Sequence, residues 1–172
     1  MIKIELLSEK NFSINSLDSY NRKQDVNKVY RRIDGVYTLV ECKYTEDWDL
    51  NKKRSVAKQI SSDEYITYIA LENDKVVGFI GLLKKLKGPY MILDMMQVSS
   101  DYRGQGIGRR LFEAGKDEAR KNCAEALYIS ACSSEETVAF YRAMGSDLAV
   151  NPIKEIAEEE PFDLQMICPV KD

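Results

Sequence analysis

Histidine is absent from this 172-residue chain. That absence excludes Ser-His-Asp and Cys-His catalysis and removes the side chain that ordinarily titrates near neutral pH. Any general base must be a carboxylate, Tyr, Cys, Lys or a water chain. Cys42, Cys123, Cys132 and Cys168 form no C-x-x-C pair, and without histidine no Cys/His zinc pattern can be written. No metal is expected, and the thiols read as reduced core or surface groups. Long apolar runs are also missing, so no segment reads as a bilayer span. The opening Met-Ile-Lys-Ile-Glu-Leu-Leu lacks the basic region, long apolar run and cleavage site of a secretory signal and reads as a strand. A cytoplasmic location without a membrane partner is the expectation. Positive charge is not in excess: the net charge is −3, with acidic clusters at residues 46–49, 62–64 and 158–160. This balance argues against nucleic-acid binding.

The composition, 44% hydrophobic and 31% charged, is that of a globular chain. Its length suits one domain over residues 1–172 with a real core and no need of linkers. There is no internal repeat or low-complexity tract. Residues 29–40 read as a hairpin around Asp34-Gly35, serving as an accessory flap, lid or interface. Residues 14–20 suit a short helix, and Asp49 is placed to cap another that carries Leu50, Val56, Ala57 and Ile60. Strands are expected over 65–71, 76–83, 90–98, 126–132, 147–150 and 162–168. Helices are expected behind residue 107, with Ile107, Leu111, Phe112, Gly115 and Ala119 on one face, and behind a Ser133-x-x-Glu136 capping box, ending at Gly145. A mixed α/β sheet layered with helices follows.

Between an apolar strand and an amphipathic helix lies Arg103-Gly104-Gln105-Gly106-Ile107-Gly108. Alternate glycines let successive amides turn toward one ligand, and a helix opening behind them adds its unpaired N–H groups and positive dipole end. A phosphate-bearing cofactor is the natural occupant. A P-loop would need Gly-Lys-Ser/Thr where Gly108-Arg109-Arg110 stands, and a dinucleotide loop would need glycine at Arg109.

The R-x-x-G-x-G spacing resembles the pyrophosphate loop of the GNAT acetyltransferase superfamily. A second stretch supports the resemblance: Ser134-Glu-Glu-Thr-Val-Ala-Phe140-Tyr141-Arg-Ala-Met-Gly145 is similar to the family pattern N-x-x-A-x-x-F-Y-x-x-x-G. Ser134 and Thr137 replace the usual asparagine and alanine. Met96-Gln97-Val98 fills the L-x-V strand position, and Ser100 replaces a common proline. The likeness is good over residues 65–150 and poor over the first 60. It implies a GNAT fold, a mixed and mostly antiparallel sheet of about six to seven strands with helices on both faces. It also implies acetyl-CoA as co-substrate, and relatives are often homodimers.

The resemblance further implies that Met96, Gln97, Val98, Arg103, Gly104, Gln105, Gly106, Ile107, Gly108, Arg109, Ser134 and Tyr141 meet acetyl-CoA. It gives the Val98 amide to the oxyanion and the Tyr141 phenol to the departing thiolate. An attacking amine, mostly protonated at neutral pH, must first lose a proton. Asp94 is the candidate base: simple alternation puts it on one face with Met96 and Val98, where Ile92 and Leu93 would desolvate it and raise its pKa. Structural readings stand beside these. Asp94 can be an aspartate held by backbone or arginine, Tyr141 a core tyrosine and Ser134 a helix cap.

The acceptor is less legible. Acidic clusters with Tyr44, Trp48, Tyr65 and Tyr90 suit a groove for a cationic amine, or a solvated surface. A small-molecule amine is favoured, with polyamine, aminoglycoside-like, amino-acid and protein amines all open. The expected activity is direct acetyl transfer from acetyl-CoA to a primary amine in a ternary complex. The alternative is a catalytically silent acyl-CoA-binding sensor or interaction module.

Overall fold

The computed structural model describes residues 1–171. Strand β1 (Lys3–Leu6) is followed by a run of turns through the region where a short helix was expected. Those turns bury Phe12, Leu17 and Tyr20 without completing a helix. Strands β2 (Gln24–Ile33) and β3 (Val36–Glu46) form a separate ribbon, longer at both ends than residues 29–40. Its turn holds Asp34 and Gly35 at φ 50° and 80°, the geometry whose twist matches a two-residue hairpin. Helix α1 (Leu50–Ile60) begins where expected, the Asp49 carboxylate accepting the Lys52 amide at 2.8 Å.

The main sheet carries β4 (Tyr65–Glu72), β5 (Lys75–Leu83) and β6 (Tyr90–Val98) as an antiparallel meander. Helix α2 (Ile107–Lys121) then returns the chain to β7 (Ala126–Ala131), which pairs parallel to β6. Helix α3 (Glu135–Ala143), the two-residue strand β8 (Asp147–Leu148), helix α4 (Lys154–Glu159) and β9 (Leu164–Pro169) complete the order. The seven strands run β1-β4-β5-β6-β7-β9-β8, and β6–β7 is the single parallel pair among them. Helix α4 occupies the polar segment whose glutamates gave no strand or helix signal. Helix α3 is capped by Ser134, one residue beyond the expected position: its hydroxyl accepts the Thr137 amide, while Ser133 takes Arg31 instead.

Side-chain alternation divides the core between the two faces of the sheet. Leu93, Met91, Leu127, Ile129, Ala131, Leu164 and Met166 pack with the α2 face, whose buried residues are Ile107, Leu111, Phe112, Gly115 and Ala119. Phe79, Ile69 and Leu71 pack with Val56, Ala57 and Ile60 of α1. The same periodicity read from sequence thus places α2 and α1 on opposite faces. At Gly115 the approach of α2 to β5 is close: an added Cβ would lie 2.7 Å from Ile80 Cδ1 and 3.7 Å from Leu82 Cδ2. Gly115→Val is expected to destabilise the fold by about 1–3 kcal/mol through overpacking, read from the urea midpoint. A midpoint equal to wild type would contradict this packing.

Candidate active site

The site begins where strand pairing stops. β6 and β7 share rungs only from Tyr90–Ala126 to Leu93–Ile129. Beyond these, β6 continues with β5 alone and β7 with β9 alone. The two central strands therefore part, leaving one edge of β6 open. At its far end the Ser99 amide donates to the Val77 carbonyl at 2.8 Å. In an antiparallel ladder these groups alternate sides, so the amide and carbonyl of Val98 turn away from β5 toward the opening. The Val98 carbonyl accepts Arg103 Nε at 3.3 Å, which anchors the loop to the strand end.

The loop is carried by a short 3₁₀ turn, Ser100–Tyr102. The Ser100 amide reaches the Asn21 carbonyl at 2.8 Å, its hydroxyl reaches the Lys23 carbonyl, and the Arg103 guanidinium reaches Lys23 at 3.4 Å. Gly104 and Gly106 follow at φ 78° and 81°, a region that side-chain-bearing residues resist, and no atom lies within 4 Å of where their Cβ atoms would be. Helix α2 opens directly after Gly106, and its first hydrogen bond from this end runs from the Arg110 amide to the Gly106 carbonyl at 3.1 Å. The amides of Ile107, Gly108 and Arg109 are thus the free donors of a helix N-terminus. Gly108 is close-packed, its Cβ position lying 3.2 Å from the Phe140 ring.

A cavity of about 350 Å³ extends along this loop. It is lined by Met96, Gln97, Val98, Arg103, Gly104, Gly106, Ile107, Gly108 and Tyr141, all named from sequence. Gln105 and Arg109 are exposed and lie outside that lining. Ser134 is fully buried, and its hydroxyl donates to Thr137 Oγ1 at 2.8 Å while capping α3, so its polar capacity is used within the helix. Sequence reasoning missed Gln24, Asp25, Tyr102, Glu136, Thr137 and Phe140 on the wall. For Phe140, Thr137 and Glu136 the capping box and the Phe-Tyr pair were a usable signal. For Gln24 and Asp25 there was none, since only the ribbon's docking brings them here.

Tyr141 packs edge-on to Phe140 and tilted on Phe112, with ring centroids 5.4 and 6.1 Å away. Burial drives its phenol well above the usual tyrosine range, with the charges of Cys132 and Asp163 adding to the shift. At neutral pH it is therefore a protonated O–H donor, as an acid for a thiolate must be.

Asp94 lies elsewhere. The register between β5 and β6 slips at this residue, Gly81 facing Met95 while Leu82 faces Leu93. This bulge reverses the alternation, so Met96 and Val98 share the α2 face with Leu93 while Asp94 turns to the α1 face. There it is exposed and accepts Tyr65 Oη and, at 3.3 Å, Gln59 Nε2. Burial and the Asp94 bond push the Tyr65 phenol up to about 12. The shared face and the apolar enclosure expected for Asp94 are both corrected: Ile92 and Leu93 are buried, but the carboxylate is not.

The ribbon closes over the same region. The Tyr30 amide donates to the Ser133 carbonyl at 2.8 Å, Val29 bridges to Ser134, and Arg31 Nη1 donates to Ser133 Oγ at 2.8 Å. At its root Arg22, 6% exposed, pairs with Glu46 at 2.6 Å, donates to Gln24 Oε1 at 3.2 Å and lies 5.3 Å from the Trp48 ring centroid. Trp48 and Glu46 thereby serve as internal supports of this wall. No group of ligands suited to a metal occurs among the described residues.

A sheet opened at one parallel pair, an amide cradle at the opening and a buried phenol beyond it define an acyl-CoA-type transferase site. The chain belongs to the acetyltransferase (GNAT) family, whose model matches residues 33–145, and it is an acetyl-CoA-dependent acyltransferase. Its fold is that of nourseothricin acetyltransferase, with a TM-score of 0.75, 16% identity and 99% of each chain covered. A Bacillus anthracis str. Ames protein assigned as a streptothricin acetyltransferase, solved with acetyl coenzyme A, gives 0.74 at 19% identity over 98% of each chain. The ribosomal-protein-S18-alanine N-acetyltransferase of Escherichia coli gives 0.63 at 17% identity over 100% of this chain and 96% of its own. A search of curated protein sequences finds no match.

Gly106→Asp places a carboxylate and a strained residue in the cradle and is expected to weaken acetyl-CoA binding at least about tenfold, about 1.4 kcal/mol or more. Gly106→Asn, tolerant of left-handed backbone, should lose less. Calorimetry giving wild-type affinity for the aspartate variant would remove the pyrophosphate from this loop.

Proposed function

We propose that this chain, working as one domain in the cytoplasm, moves the acetyl group of acetyl-CoA to a primary amine on a small cationic molecule by direct attack in a ternary complex. The observation that carries the reading is the opening between β6 and β7 with an anion cradle along it, while Asp94 of β6 turns to the opposite face of the sheet. In this reading the amides of residues 104–109 hold the pyrophosphate, and Arg103 with the exposed Arg109 adds positive charge. The Val98 amide, turned into the opening, meets the carbonyl oxygen as it gains charge. The Tyr141 phenol protonates the departing thiolate. No enzyme nucleophile takes part.

The acceptor enters from the α1 face, where Asp94 forms one lip of the opening with Tyr65 and Gln59. A carboxylate-lined approach favours a cationic amine and disfavours an anionic one. The likeness in fold to nourseothricin and streptothricin acetyltransferases runs almost end to end and supports a streptothricin-like antibiotic amine as the acceptor class. The free thiols at all four cysteines accord with a reducing compartment.

Thiol release from acetyl-CoA against streptothricin, polyamines, aminoglycosides and amino acids tests the reading. Release dependent on a cationic small amine is expected, and binding of acetyl-CoA without amine-dependent release would make the chain a silent binding module. Tyr141→Phe is expected to lower turnover about 100-fold while changing acetyl-CoA affinity less than about threefold. Unchanged turnover would take Tyr141 out of the reaction.

A further inference from the structure

The β7 side of the opening carries a polar array that the roles above do not use. Leu127, Ile129 and Ala131 point into the α2 core, so Tyr128 and Ser130 face the α1 side, as Asp94 does. Ser130 is the first residue of β7 beyond the last rung shared with β6. Its hydroxyl donates to Asp163 Oδ2 at 3.0 Å, just before β9 begins. Behind it Gln165 Nε2 donates to Ser130 Oγ at 2.8 Å, Tyr128 Oη donates to Gln165 Oε1 at 2.6 Å, and the Ile153 amide donates to Tyr128 Oη at 2.9 Å. Every hydroxyl proton in this chain is directed toward the carboxylate end, so Asp163 is fixed in place as an acceptor.

We infer that Asp163, rather than Asp94, is the group that takes the proton from the acceptor amine in the transfer proposed above. Asp94, bonded to Gln59 of α1, and Asp163, bonded to Ser130 on the same side of β7, differ in setting. Asp94 is exposed and hydrogen-bonded by Tyr65 and Gln59. Asp163 is partly buried, and its charge is felt at the Tyr141 phenol. Burial holds its pKa up at about 6, the Ser130 bond working against this and the carboxylates of Glu160 and Glu46 adding to it. A base in that range is ionised at neutral pH yet basic enough to draw a proton from an ammonium. The neighbouring Arg31 does not neutralise it: its guanidinium stacks 4.1 Å from the Phe162 centroid and donates to Tyr30 and Ser133. The Cys132 thiol is the remaining titratable neighbour of Tyr141 on this side.

An Asp163 carboxylate oxygen, directly or through one water, accepts a proton from the ammonium and frees the nitrogen lone pair. Nitrogen attacks the thioester carbonyl carbon, forming C–N. On collapse C–S breaks, its electron pair goes to sulfur, and sulfur takes the Tyr141 proton. The second amine proton restores Tyr141, and Asp163 returns its own to solvent.

The test is the pH profile of turnover with acetyl-CoA and streptothricin, alongside carboxyl-¹³C titration of Asp163 in the acetyl-CoA complex. Wild type should lose activity below about pH 6, and Asp163→Asn should lower turnover at least about 100-fold and abolish that limb while still binding acetyl-CoA. Asp94→Asn should keep the limb whatever its effect on KM. Ser130→Ala, which removes the bond that lowers the pKa, should move the limb to higher pH, and this variant decides the matter if Asp163→Asn fails to fold. A limb unmoved in Ser130→Ala and retained in Asp163→Asn would overturn the assignment, as would its loss in Asp94→Asn alone. If no amine is acetylated, the transfer reading fails separately, and an Asp163 titration midpoint near that of an ordinary aspartate would overturn the inference on its own.

Discussion

Pairing between β6 and β7 is interrupted in the middle of the sheet, and both the cradle and the cavity follow from that break. A parallel pair that parts after the Leu93–Ile129 rung leaves backbone donors unpaired in the middle of a sheet, a costly arrangement unless another group meets them. The fold manages this by flanking the gap with structure that is fully bonded elsewhere. β6 keeps its ladder with β5 and β7 keeps its ladder with β9. In the proposed reaction these donors are what meets the substrate carbonyl. The glycine loop follows from the same geometry, because the strand that is freed at Val98 runs directly into the turn that opens α2.

The two sides of this opening differ in charge. Toward α2 lie helix amides, a positive dipole end and Arg103, which suit phosphate, with the carboxylates of Asp25 and Glu136 elsewhere on the same cavity wall. On the opposite face lie Asp94 and Asp163, with Glu46 and Glu160 close enough to act on the latter. The β2–β3 ribbon joins the two regions. Its strand β2 supplies Gln24 and Asp25 to the cavity wall, while Glu46, at the end of β3, holds the buried Arg22. Breaking such a pair strands a buried charge, so the ribbon's root is held more firmly than its exposed tip. Tyr141 sits where the two sides meet, protonated by burial and within the field of Asp163.

Local chemistry was legible in the sequence where it is written in consecutive residues. The R-x-x-G-x-G loop, the buried face of α2, the Asp49 cap and the Phe140-Tyr141 pair all depend on spacing within one element. What failed depended on register. A single bulge at Asp94 reversed a strand face, and simple alternation could not foresee it because the cause lies in the pairing with Gly81 and Leu82. Ser133 and Ser134 are adjacent hydroxyls of equal capping ability, and the choice between them is made by Arg31 of the ribbon, 102 residues away in one bond. Asp163 gave no signal, since its partner Ser130 lies 33 residues earlier and both look like ordinary polar positions. The proposed acceptor side was illegible for that reason: it draws on α1, β4, β6, β7 and the approach to β9, and no contiguous motif spans them.

In the proposed reaction the two substrates meet through the sheet, the donor from the cradle side and the acceptor from the carboxylate side. A crystal structure of the enzyme with CoA and a non-reactive acceptor analogue reads this directly. Pyrophosphate is expected on the amides of residues 104–109, the thiol beside Tyr141, and the acceptor nitrogen at the mouth of the opening within hydrogen-bond reach of Asp163, directly or through one water. An acceptor seated on the α2 face, or pyrophosphate away from this loop, would contradict this arrangement.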